Sequence, residues 1–189
     1  LGVNDVKGLI DLARSKPDFL SHGSNGIGSS AHLAGELLKF MAGVKMVHVP
    51  YKGGAPLYAD MIGGRIPVAF AILNSAMPLV RAGKLKLLAV TNPQRSAVYP
   101  DYPAVSATLP GYELTTWSGF IVPAGTPGEV VQKISSDIVR VANAAELRPR
   151  FEKFGYELAP LSSAEFDTFI RAEVESKGKL VRESGAKFE

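Results

Sequence analysis

Across residues 4–91, stretches of helical and of extended patterning alternate. Val6, Leu9, Ile10 and Ala13 recur at helical spacing behind Asn4-Asp5, which predicts a capped helix over 4–15. Pro17 separates it from Phe19-Leu20-Ser21-His22, a short strand-compatible stretch. A turn follows, Gly23-Ser24-Asn25-Gly26-Ile27-Gly28-Ser29-Ser30. Leu33, Leu37 and Met41, with Ala34 and Leu38 beside them, then form one apolar stripe of a helix over 30–42 that Gly43 ends. Residues 45–50 read as a strand, and Tyr51-Lys52-Gly53-Gly54 as a second glycine-containing loop. Pro56 fits the first turn of the next helix, whose apolar positions are Leu57, Met61 and Ile62. Residues 66–72 are apolar without alternation, the pattern of a strand covered on both faces. Asn74-Ser75 comes next, then a short helix with Pro78 near its start and Gly83 at its end, and a further strand over 86–90. This alternation predicts an α/β fold with a parallel sheet. Ligands of such sheets gather at the carboxyl ends of the strands, where the loops 23–30, 51–54 and 74–75 emerge.

The pattern changes after Asn92. Pro93, Pro100, Pro103 and Pro110 mark a long connection outside the core. Residues 112–122 regain strand character, and Pro123–Pro127 open a helix with Val130, Val131, Ile134, Ile138 and Val141. A shorter helix carries Leu147, Phe151 and Phe154, and residues 156–159 are strand-like. Ser162 and Glu165 match a capping box at the start of a last helix that carries Phe166, Phe169, Ile170, Val174, Leu180 and Val181, of which Phe166 and Phe169 read as core stripe. The final third is thus mostly amphipathic helix with little sheet of its own to cover it.

Composition narrows the function. A chain of 189 residues with 46% hydrophobic and 21% charged residues can bury a real core, as one domain or two small ones. The net charge of +3 is too small, and the Lys and Arg residues too scattered, to indicate nucleic acid. The absence of cysteine excludes disulfide and thiolate chemistry. The longest apolar run, 66–80, is interrupted by Pro67, Asn74, Ser75 and Pro78 and falls short of the ~20 residues of a membrane span. Leu1 is not a start methionine, so the N-terminus reads as processed or trimmed.

The turn at 23–30 carries the most chemistry. Its glycines let successive N–H groups converge, and the helix behind it adds unpaired first-turn donors and the positive end of its dipole. Ser29 or Ser30 would cap that helix. The expectation is an anion cradle without a cationic side chain, against the plain alternative of an ordinary capped connection. The same stretch fits G-x-G-x-x-A at Gly26, Gly28 and Ala31, a variant of the dinucleotide fingerprint. No acid lies between Glu36 and Asp60 to hold a ribose, which leaves only an NADP-dependent enzyme reading through Lys52. A Walker A motif fails because Ser29 follows the last glycine. His22, His32 and His48 fall on different elements and read as surface or capping residues, with no metal expected. No G-x-S-x-G elbow is present. Trp117 and Tyr51 are candidates to stack on a ligand ring, with core packing the plainer reading for Trp117.

Five stretches, GSNGIGSSAHLAGEL (23–37), VPYKGGAPLYADMIGGRI (49–66), VRAGKLKLLAVT (80–91), WSGFIVPAGTP (117–127) and the closing helix, resemble the Bug family, the TctC-like receptors of tripartite tricarboxylate transporters. The resemblance covers essentially the whole chain in order. It implies a type II periplasmic-binding-protein architecture of two α/β lobes, a small carboxylated solute, no cofactor, and cognate membrane transporter subunits as partners. Residues 1–116 would form one lobe and 117–189 the incomplete, mostly helical part of the other. Family members carry a further segment before the position of Leu1, so an incomplete cleft is expected here, and exposed helix faces that would pair two chains as a homodimer. The resemblance carries solute binding to Ser24, Asn25, Gly26, Gly28 and Ser29, to Tyr51, Gly53 and Gly54 in the second loop, and to the region of Asn74 and Ser75. Many members have an acid near Asn74. An amide there favours a plain di- or tricarboxylate, or an aromatic carboxylate, over an amino acid.

Overall fold

The computed structural model describes residues 1–184. It divides into two compact units, residues 1–116 with the end of the last helix from Leu180, and residues 117–179. None of its helices is long and apolar enough to cross a membrane.

The first unit is built on a three-stranded parallel sheet of order β2-β1-β3, with β1 at Ser21–Ser24, β2 at Val47–Pro50 and β3 at Val68–Ala69. Helix α1 (Val6–Ser15) precedes these strands, α2 (Ser30–Ala42) and α3 (Gly54–Ile62) join them, and α4 (Leu73–Arg81) follows β3. Asp5 caps α1 by accepting the Gly8 N–H at 2.7 Å, as the opening Asn-Asp pair predicts. The register places His22 beside His48 and Gly23 beside Val49 and Ala69. Successive side chains point to opposite faces. On the His22 face lies the main core, where Val6, Leu9, Ile10 and Ala13 of α1 meet Leu20, Leu38, Met46, Val68, Val105 and Tyr112. On the Gly23 face Leu57, Tyr58 and Ile66 form a second, smaller cluster. A sheet covered by helices on both faces is the doubly wound arrangement that the alternating pattern predicts.

Several elements depart from expectation. The buried side of α2 is Ala31, His32, Ala34, Gly35, Glu36, Leu38 and Ala42, while Leu37 and Met41 pack at its edge. The reason is steric: α2 approaches the sheet so closely that a Cβ on Gly35 would collide with the His22 ring. The strand over 66–72 shrinks to two residues, and Ile72 is exposed. Asn74 and Ser75 belong to the first turn of α4, and Pro78 sits inside that helix rather than near its start. Residues 86–89 form no strand; only Val90 makes a bridge, to Ala104, with Leu114 N–H donating to the Thr91 carbonyl. The proline-rich connection contains a 3-10 turn (Val105–Ala107), and its Ala104 and Val105 enter the core.

The second unit is helical: α5 (Gly128–Ala142), α6 (Leu147–Lys153) and most of α7 (Ser163–Ser184). The capping box forms, with Glu165 accepting from the Ser162 N–H at 2.8 Å and from its hydroxyl at 2.6 Å. Residues 112–122 and 156–159 are not strands, since among the described residues they have no ladder partner. Phe166 and Phe169 pack edge-on against Trp117, whose Nε1 donates to Glu173 at 2.8 Å. No side chain of α5, α6 or α7 is fully buried, so the expected C-terminal core stripe is only half covered.

Candidate functional site

Three helices start at one edge of the sheet. In a parallel sheet the carboxyl ends of β1, β2 and β3 lie together, and α2, α3 and α4 each begin within a few residues of one of them. Three positive helix ends and their unpaired first-turn N–H groups therefore face the same region. Neither α3 nor α4 has a side-chain cap. Gly53 at the start of α3 adopts φ 100°, a conformation a side chain would resist.

The glycine-rich turn is held by several of its own polar groups. The Gly26 N–H donates to Ser24 Oγ at 3.2 Å, and the Ser29 N–H to the Gly26 carbonyl at 3.3 Å. The Gly28 N–H donates to His32 Nδ1 at 3.2 Å. The Ser29 hydroxyl donates to the Gly26 carbonyl at 2.7 Å and caps α2 by accepting the His32 N–H. Ser24 is fully buried and lies 2.7 Å from His48 Nε2. These contacts fix the turn, so the amides of Gly26, Gly28 and Ser29 are not the donors left for a ligand. Those of Asn25, Ile27, Ser30 and Ala31 are; among the described residues none has an acceptor. Asn25 Oδ1 is buried without a partner among the described residues, and a half-turn of that amide would put its NH₂ group there.

Next to the free end of α2 lies a cavity of about 30 Å³, room for a water or two. It is lined by Ser30, Ala31 and Ala34 of α2, residues 70–72 after β3, and Thr91, Leu114 and Thr116. Thr116 Oγ1 and Ser30 Oγ are 3.1 Å apart. Donors and hydroxyls around a cavity of this size suit a single carboxylate group. With Ser29 as the cap, the Ser30 hydroxyl is the one left over; sequence reading passed over Thr91 and Thr116 altogether, because their loops reach this edge only through the folded connection.

The remaining expected positions are partly committed elsewhere. The Tyr51 hydroxyl donates to Asp60 at 2.8 Å, and Ser75 Oγ lies 2.6 Å from the Tyr58 hydroxyl and donates to the Ile72 carbonyl. Gly54 and Asn74 sit in the uncapped first turns of α3 and α4.

The histidines overturn their surface reading. His22 and His32 are buried, His48 is half-buried, and the three rings stack behind the turn, with centroids 5.0 Å (His22–His48) and 3.9 Å (His32–His48) apart. Their faces meet rather than their nitrogens, and among the described residues no group is placed to share a metal ion. Glu36 closes the stack, 3.5 Å from His22 Nε2, and is paired with Lys39 at 2.7 Å. Burial pushes the Glu36 carboxyl up, but the neighbouring His22 and the hydrogen-bonded Lys39 prevail and hold it at about 2. Burial lowers His32, with Glu36 opposing, and lowers His48 to about 4.

The chain is similar to known proteins in sequence and in fold. Residues 2–186 match the family described as the tripartite tricarboxylate transporter family receptor. A UPF0065 protein in the tcbD-tcbE intergenic region of Pseudomonas sp. (strain P51) is 32% identical over 181 residues, 95% of this chain and 54% of its own length. The structure of R. palustris Rpa4515 with adipate superposes with a TM-score of 0.91 at 32% identity, over 98% of this chain and 62% of that one. Periplasmic binding protein BugD gives 0.80 at 26% identity, over 99% and 64%. MatC (Rpa3494) from Rhodopseudomonas palustris with bound malate gives 0.76 at 25%, over 94% and 62%. The chain thus spans little more than half the length of these relatives, and the turn, the sheet edge and the second unit all fall within the match. The chain belongs to the tripartite tricarboxylate transporter receptor family.

Proposed function

We propose that this chain captures a small carboxylated solute in the periplasm, at the carboxyl edge of the three-stranded sheet, for delivery to the membrane subunits of a tripartite transporter. The observation that carries the reading is the free start of α2: the unpartnered N–H groups of Ser30 and Ala31 beside the hydroxyl-lined cavity. A carboxylate seated there would accept from those amides, from Asn25 and Ile27, and from the Ser30, Thr91 or Thr116 hydroxyls. Ser24, Gly26, Gly28 and Ser29 would shape the turn rather than touch the solute through their amides. Gly53 and Gly54 at α3 and Asn74 at α4 would meet its far end, with Tyr51 and Ser75 holding those loops. Adipate and malate, the molecules named with two of the similar structures, support a dicarboxylate as the solute class. The function is binding, with no chemical step.

Calorimetric titration tests this reading. Adipate or malate should bind saturably, and NADPH, the probe of the dinucleotide alternative, should give no heat. Ser30→Asp separates binding from folding. At the first position of α2 an aspartate favours the helix by about 0.3–1 kcal/mol. The same carboxylate, ~4 Å from a bound one, repels it by about 4 kcal/mol at an effective dielectric of ~20. The variant should fold at least as well and bind at least tenfold more weakly, about 1.4 kcal/mol. Undiminished affinity in Ser30→Asp would place the solute elsewhere.

A further inference from the structure

The imidazole stack is not accounted for by solute capture. A buried polar cluster costs stability unless its members are satisfied. This one meets the binding turn at two points. His32 Nδ1 accepts the Gly28 N–H at 3.2 Å. His48 Nε2 lies 2.7 Å from Ser24 Oγ, and that hydroxyl in turn accepts the Gly26 N–H and donates to the Gly26 carbonyl. A hydroxyl has one proton to give. With it on the Gly26 carbonyl, His48 must donate from Nε2, a bond that survives protonation of the ring. His32 is different. To accept at Nδ1 it must be neutral, with its proton on Nε2, which stands 3.8 Å from Glu36 Oε1. A proton added at Nδ1 would turn that acceptor into a donor facing the Gly28 N–H.

We propose that His32 is a positioning residue that holds the solute-binding turn only while its ring is neutral, so that acid releases the turn and weakens solute capture. The inference rests on the carboxylate reading of the site for its functional consequence, but the link between His32 and Gly28 does not. The groups that face His32 are His22 on β1, His48 on β2, and Glu36 and Lys39 on α2. Glu36 favours the charged ring, while His22 and Lys39 oppose it. Burial also opposes it and is the largest effect, which sets release below the ordinary histidine range. Once His32 begins to take its proton, affinity should fall by about tenfold per pH unit.

The experiment combines nuclear magnetic resonance and calorimetry on the intact chain. In the unliganded protein, as the pH is lowered from about 7.5 through and below the ordinary histidine range near 6.5, the Gly28 amide should lose exchange protection as the His32 ring nitrogens titrate. Before that, His32 should show the Nε2–H form. Over the same range adipate should bind progressively more weakly. His32→Asn puts an amide oxygen where Nδ1 accepts and cannot be protonated. It should bind adipate within about twofold of the parent near neutrality and lose the Gly28 transition. Protonation of adipate itself appears in both proteins and cancels in their ratio. A Gly28 transition that persists in His32→Asn would overturn the proposal, as would a His32 ring with its proton on Nδ1. Equal pH dependence of affinity in the two proteins would also overturn it. If adipate fails to bind at any pH while the Gly28 transition follows His32, the solute reading fails and the positioning role stands.

Discussion

Four side chains concentrate the polar energetics of the first unit: His22, His32, His48 and Glu36. The titrations that matter for stability run in one direction. His48 is held at about 4 in the folded chain, below its ordinary 6.5, so the unfolded chain binds more protons between those values. Its contribution is complete above about pH 6.5 and declines as pH falls toward about 4. His32, lowered in the same direction, adds to this. Glu36, at about 2 against an ordinary 4.5, keeps its contribution above about pH 4.5 and loses it at still lower pH. Denaturant titrations should therefore show the first unit about 2 kcal/mol less stable at pH 5 than at pH 7.5, with His48→Asn reducing the difference. A stability that stays level across that range would mean the imidazoles titrate in the fold as they do in water.

At the scale of elements, α2 is the part on which the site depends, because its start supplies donors and its buried side carries His32 and Glu36. Gly35 lets it lie close to β1. Helix propensity alone would make Gly35→Ala stabilising by about 1 kcal/mol. Collision of the added methyl with the His22 ring, which has no free volume to enter, costs about 1–3 kcal/mol, and packing should win. The variant should have a lowered melting temperature and weaker adipate binding; a raised one would show that α2 does not bear on the stack. The strong local signals of this region were readable in the chain: the Asp5 cap, the Ser29 start and Gly43 end of α2, and the capping box at Ser162 and Glu165. What pattern could not reveal was set by pairing at a distance. The His22–His48 register brings two histidines together from strands more than twenty residues apart in sequence, and α2 then adds the third. Periodicity also could not say which amides of the turn would be used internally, since that follows from Ser24, Ser29 and His32 folding back on it. Residues 86–90 and 112–122 look like strands by composition, but β-structure requires a partner along its edge.

At the scale of the whole molecule the two units differ in kind. The first has a sheet, two apolar clusters and a cavity at the strand ends. The second is three helices and extended chain, with Phe120 77% and Ile121 90% exposed. The functional account rests on the first unit and on one claim within it, that backbone donors at the start of α2 receive a carboxylate. Amide resonances of the labelled protein during titration with adipate or malate test that claim most directly. Those of Ser30, Ala31, Asn25 and Ile27 should move together and saturate, while those of Gly26, Gly28 and Ser29, already bonded within the turn, should move least. Saturable shifts confined to other residues, or none at all, would contradict it.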